Sequence, residues 1–153
     1  MYLDPRRGYD LIGDVHGCAH SLERLLDSLG YRLRGGVWQH PRRMVLFLGD
    51  IIDRGPRIRE ALHLVHGMVE AGHAHCIMGN HEFNALGWNT PAIAQSSREF
   101  VREHTPRNAH QLRETHRQFE DHPADWADFL DWFYQLPLLL DGGRFRVVHA
   151  CWD

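Results

Sequence analysis

The sequence predicts an α/β protein in which parallel strands alternate with helices, and three observations carry that expectation. Short apolar runs such as Met44-Val45-Leu46-Phe47-Leu48 precede segments with apolar residues at helical spacing. Each run ends in a polar loop with glycine: Gly13-Asp14-Val15-His16-Gly17, Gly49-Asp50-Ile51-Ile52-Asp53-Arg54-Gly55 and Gly79-Asn80-His81-Glu82. Strand, loop and helix repeated in that order demand right-handed crossovers and a parallel sheet. Ligands bind such sheets at the carboxyl ends of the strands, where these loops fall.

The elements follow in order. Tyr9-Asp10-Leu11-Ile12 reads as the first strand, and Leu22, Leu25, Leu26 and Leu29 give an amphipathic helix stopped by Gly30. Tyr31-Arg32-Leu33 and Val37-Trp38-Gln39 flank Gly35-Gly36, a hairpin outside the main sheet. The continuous apolar run from Met44 to Leu48 suits a strand covered on both faces. Ile58, Ala61, Leu62, Val65, Met68 and Val69 make the second helix, closed near Gly72, and Ala74 to Met78 the third strand. From about Asn89 to His122 the chain turns rich in Arg, Glu, Gln and His, which reads as an exposed, helical, lid-like insert. Its regularly spaced histidines, His104, His110, His116 and His122, read as a solvated helix face. Trp126, Phe129, Leu130 and Phe133 form a short helix, and a final hairpin turns at Asp141-Gly142-Gly143 and delivers His149.

A length of 153 residues allows one domain, taken as 1–153, and leaves no room for two. The formal charge of -3 argues against a broad nucleic-acid surface. No apolar run approaches a membrane span, and the first five residues lack a signal-peptide core. Three cysteines, an odd number without framework spacing, suggest a reducing cytoplasm.

Asp14, His16, Asp50, Asn80 and His149 make a mixed oxygen and nitrogen donor set without thiolate, suited to Mn²⁺, Fe, Zn²⁺ or Ni²⁺. The two acids of the second loop, three residues apart, call for separate tasks. Asp50, first off its strand, is the better metal ligand, while Asp53 and Arg54 are placed to orient other groups.

The three loops, followed by Val148-His149-Ala150, resemble the calcineurin-like metallophosphoesterases. More narrowly, Asp53-Arg54-Gly55 and Asn80-His81-Glu82 resemble the phosphoprotein phosphatase branch, with its bacterial and phage members and the symmetrical diadenosine tetraphosphatases. The resemblance implies an α/β/β/α sandwich with mixed, largely parallel sheets. It also implies two divalent metals, Mn²⁺ foremost: Asp14 and His16 on one, Asp50 bridging, Asn80 and His149 on the second. His81 would be the general acid, oriented by Asp53, and Arg54, with Asn80, would bind the phosphoryl oxygens. Glu82 is assigned no chemistry and reads as a structural acid. The chain departs from the pattern in Ala150-Cys151 and in ending at Asp153, where the family continues with more of the second sheet and a further Gly-His loop. The expectation is therefore an N-terminal part of the family fold, its second sheet incomplete, with an exposed edge open to self-association.

The function expected is hydrolysis of phosphomonoesters, as in phosphoproteins, or of dinucleoside polyphosphates, by a metal-bridged hydroxide. The alternatives are a catalytically impaired metal- or phosphate-binding module and a metallo-nuclease.

Overall fold

The computed structural model describes residues 3–4, 6–94 and 96–151. The outermost residues of the 1–153 domain, and Gln95 within the insert, lie outside the described residues. Strands β1 (Gly8–Ile12), β4 (Arg43–Phe47) and β5 (Ala74–Cys76) form a parallel sheet in the order β1-β4-β5. The register pairs Ile12 with Phe47 and Phe47 with Cys76, so the three carboxyl ends are level and their loops share one edge.

Central β4 is covered on both faces, as its unbroken apolar run predicts. Val45 and Phe47 enter the larger core, whereas Leu46 points to a second cluster with Leu3, Ile77, Leu140 and Val147. The larger core is built with α1 (Ala19–Ser28), α2 (Ile58–Glu70), α3 (Asn80–Asn89), α4 (Pro106–Phe119) and α5 (Pro123–Phe133). The second cluster is closed by the antiparallel hairpin of β6 (Leu139–Asp141) and β7 (Arg146–Val148). Helices, parallel sheet and hairpin are thus three layers of the expected sandwich, the second sheet being two strands among the described residues. A separate hairpin, β2 (Arg32–Arg34) and β3 (Val37–Gln39), turns at Gly35-Gly36 as its sequence predicts.

Two local expectations are corrected. The Asn80-His81-Glu82 stretch is not a loop but the first turn of α3, entered from Gly79. Glu82, at the third helical position, accepts the Gly79 N–H at 3.0 Å, which closes the helix start. The stretch expected to be helical from about 89 to 122 is helical within its span only over Pro106–Phe119 and at Asn89, the last residue of α3. Pro91 and the Ser96-Ser97 pair disfavour a helix between them, where an isolated bridge joins Pro91 and Phe100. Nor is this helix exposed all round: Thr105 caps it through Asn108, and Leu112, Thr115 and Phe119 are buried on its inner side. No helix among the described residues is long and apolar enough to cross a membrane.

Candidate active site

Backbone bonds between neighbouring loops hold the site together. The Asp50 carbonyl accepts from Val15 N–H at 3.0 Å and His16 N–H at 2.9 Å, and the Ile51 carbonyl from Gly17 N–H at 2.8 Å. The Glu82 carboxylate, wholly buried, accepts the N–H groups of Asp50 (2.8 Å), Ile51 (2.8 Å), Ile52 (3.3 Å) and Gly79. Burial pushes this carboxyl up, and the loop N–H groups act against that by stabilising the carboxylate. Ile51 and Ile52, both fully buried, peg the loop into the core, each contributing about 1.5–3 kcal/mol. Gly49 and Gly79 lie back to back, so a Cβ on Gly49 would stand 2.3 Å from the Gly79 nitrogen.

The loop backbones are strained where side chains must converge. Among non-glycine residues, positive φ occurs at His16 (45°), Asp50 (54°), Asp53 (69°) and Arg54 (68°), all of them in the site. The buried polar or charged side chains among the described residues are Asp50, Asp53, His81, Glu82 and Thr115, again all here.

Two groups of donor atoms meet at Asp50: His16, Asp50 and His81 in one, Asp14, Asp50 and His149 in the other. His16 Nδ1 lies 2.8 Å from the Ile52 carbonyl, which must take the ring proton and leaves Nε2 its lone pair. That Nε2 is buried without a hydrogen-bond partner, 3.5 Å from Asp14 Oδ2 and 3.9 Å from Asp50 Oδ2. His149 repeats the arrangement, its Nδ1 2.6 Å from the Leu48 carbonyl and its Nε2 3.0 Å from Asn80 Oδ1 and 3.5 Å from Asp50 Oδ1. In both places a ring lone pair faces oxygen acceptors, an arrangement that a divalent cation satisfies. The donor set therefore fits metal binding, and the five residues expected as ligands are brought together with Asp50 between the groups.

His81 is the poorer ligand of the first group. Its Nδ1 bonds Asp53 Oδ2 at 2.6 Å, and its Nε2 faces Arg54 Nη2 at 3.3 Å, so a cation there would meet a guanidinium. Burial alone would depress the His81 imidazole. The Asp53 hydrogen bond and the charges of Asp50 and Asp53 outweigh it and leave the group above its ordinary value. A buried imidazole whose protonated form is favoured in this way, beside a guanidinium, can bind an anion and give it a proton.

The wall opposite belongs to α4, and sequence reasoning missed it. Gln111 Nε2 lies 3.1 Å from His81 Nδ1, Thr115 Oγ1 accepts from Asp53 N–H at 3.1 Å and bonds Asp53 Oδ1, and Gln118 joins Gly55 O and Ile58 N. These residues sit at positions i, i+4 and i+7, one face of a helix. Polar residues at that spacing are the ordinary signature of a solvated face, so nothing in the sequence marks them out. Between α4 and the loops runs a cleft of about 610 Å³, lined by Arg54, Asn80, His81, Arg102, Arg107 and Arg113 among others.

Comparison with known proteins bears on this site. A family model described as Calcineurin-like phosphoesterase matches residues 9–151. A Bis(5'-nucleosyl)-tetraphosphatase PrpE [asymmetrical] of Bacillus thuringiensis is 32% identical over 154 residues, covering 93% of this chain and 56% of the relative. Its namesake from Oceanobacillus iheyensis is 48% identical over 73 residues, covering 47% of this chain and 29% of the relative. The chain thus spans about half, or less, of the length of the curated relatives it matches. Among solved structures, one provisionally assigned as a diadenosine tetraphosphatase superposes with TM-score 0.57 at 20% identity, covering 98% of this chain and 53% of that one. A protein serine/threonine phosphatase from Saccharomyces cerevisiae gives TM-score 0.51 at 18% identity, over 89% of this chain and 35% of that one. At these identities the two structures establish the shared fold.

Proposed function

The chain belongs to the calcineurin-like phosphoesterase family, and on that premise we propose that it is a metal-dependent hydrolase of phosphomonoesters or dinucleoside polyphosphates. The observation that carries this reading is the Asp53–His81–Arg54 array beside two donor groups that share Asp50. The tetraphosphatase names of the relatives point to the anhydride substrate. Asp14 and His16, 3.5 Å apart, would hold one divalent ion and Asn80 and His149, 3.0 Å apart, a second, with Asp50 beside both and Mn²⁺ the first candidate. When bound, such ions supply Lewis acidity and an activated water.

The chain's own residues do the rest. Arg54, a permanently charged fork, grips the phosphoryl oxygens with help from Asn80. Asp53 fixes the His81 ring through Nδ1, so that Nε2 carries its proton toward the cleft. As the water oxygen bonds to phosphorus, the bond to the leaving oxygen breaks and His81 delivers that proton to it. Free thiols at Cys18, Cys76 and Cys151 fit a reducing compartment, the cytoplasm.

The test is turnover of p-nitrophenyl phosphate and diadenosine tetraphosphate with Mn²⁺, for this chain and for His81→Asn. Loss of about 10²–10⁴-fold in kcat with Mn²⁺ binding retained is the expected result. Equal turnover by the two proteins would sink the assignment of the acid.

A further inference from the structure

The α4 side of the cleft carries more positive charge than a single phosphoryl group requires. Arg54, Arg102, Arg107 and Arg113 all line it, and none of them is in an ion pair with Asp or Glu among the described residues. Some arginines elsewhere are neutralised, Arg32 by Asp27, Arg43 by Asp10 and Arg59 by Asp125. Others, such as Arg24, Arg34 and Arg42, stand without an ion pair among the described residues but scattered on the surface; the four here converge on one cleft. The carboxylate in the cleft wall, Glu114, is already engaged by Arg117. Arg102 is the most telling of the four. Its Nη2 donates only to neutral amides, Asn108 Oδ1 at 3.0 Å and Gln111 Oε1 at 2.7 Å, and its Nε is buried with no partner. A guanidinium held by amides alone keeps its full charge for an anion.

A neighbouring cavity of mixed lining adjoins the cleft. This second cavity, of about 420 Å³, shares Arg102 and Asn108 with the first and is lined by Phe83 and Val101. The Phe83 ring is 62% exposed although it follows the wholly buried Glu82 directly. An exposed aromatic at the rim of a cationic cleft is a stacking shelf for a planar base.

We infer that Arg102, Arg107 and Arg113 form a subsite for phosphates beyond the reacting one, with Phe83 as the shelf for a nucleobase. The substrate is then a nucleoside or dinucleoside polyphosphate rather than a phosphoprotein. This rests on the hydrolase reading above for which phosphate reacts. Arg54 with His81 suffices for one phosphoryl group, and a phosphorylated side chain brings only one. Further unpaired guanidiniums around the same cleft match a chain of phosphates, each carrying charge, and the exposed Phe83 ring in the adjoining cavity matches the base at its end.

The experiment compares this chain with Arg107→Ala/Arg113→Ala and with Phe83→Ala. Calorimetry on the Mn²⁺-loaded proteins reads affinity for inorganic tripolyphosphate and for diadenosine tetraphosphate, without reliance on turnover. The arginine variant should bind tripolyphosphate at least fivefold more weakly. Phe83→Ala should bind tripolyphosphate as before and diadenosine tetraphosphate more weakly. In turnover, the ratio of kcat/KM for diadenosine tetraphosphate over p-nitrophenyl phosphate should fall at least tenfold in the arginine variant. Unchanged tripolyphosphate affinity in that variant overturns the subsite, and equal loss of both ligands in Phe83→Ala overturns the shelf. If no chain turns over either substrate but the affinities change as stated, the subsite stands and the hydrolase reading falls.

Discussion

The loops at the strand ends and the α4 wall that faces them are built on opposite plans. In the loops, polar groups are consumed internally: the buried Glu82 carboxylate takes four backbone N–H groups, and Asp53 takes His81 and Thr115. Across the cleft, Arg102, Arg107 and Arg113 meet no carboxylate among the described residues, and α4 touches the loops mainly through Gln111, Thr115 and Gln118. The difference separates two demands. Chemistry needs groups held within tenths of an ångström, so the loops spend their polar atoms on rigidity. Recognition of an extended anion needs charge left available, so the wall keeps its guanidiniums unspent.

Three changes probe that contrast. The largest effect is expected from Glu82→Gln, which keeps the volume but turns an amide N–H toward buried N–H donors. Stability in urea should fall by roughly 3 kcal/mol or more, because several buried donors lose an anionic acceptor. A loss no greater than that of an exposed wall residue such as Arg107→Ala would erase the distinction. Thr115→Val comes next, since it is the one buried polar residue of α4 and bonds both the N–H and the carboxylate of Asp53. It should cost about 1–3 kcal/mol and slow turnover by loosening the partner of His81, which urea titration and kcat together report.

The smallest effect concerns acid. Burial holds His116, packed against Trp88 and Trp126, below the ordinary histidine value. The folded form therefore takes up its proton less readily than the unfolded chain. Its contribution to stability is intact above about pH 6.5 and declines as the pH falls through that value. This contribution lowers the melting temperature between about pH 7.5 and about pH 5.5, against the opposite one from His81, whose raised value favours the folded form in acid, and His116→Phe should make any drop smaller. An identical drop in the variant would place the acid sensitivity in another group, such as His75, which burial also holds low.

What the sequence disclosed follows the same division. That Asp14, His16, Asp50, Asn80 and His149 would come together was legible because the strand ends gather their loops on one edge. The strands were legible for a related reason: β4 is buried on both faces and could not hide its apolar run. The first turn of α3 was read as loop, since a helix that begins on Gly79 and is capped from within by Glu82 lacks the usual Ser, Thr or Asp signal. The insert was misjudged in extent and exposure. Its helix carries an apolar side that is short, and the face turned to the cleft is polar for a purpose that spacing alone cannot distinguish from solvation.

The attachment of α4 by Gln111, Thr115 and Gln118 has an engineering consequence. The segment behaves as a cassette whose plug is one polar face of about two turns, with Leu112 and Phe119 buried beside it, and whose payload is the exposed remainder of the helix. A graft from another protein could replace Arg107, Arg113 and their neighbours and so rewrite what the cleft accepts. It would have to reproduce those fasteners at the same intervals, or the imported selectivity would arrive at the expense of the catalyst beneath it.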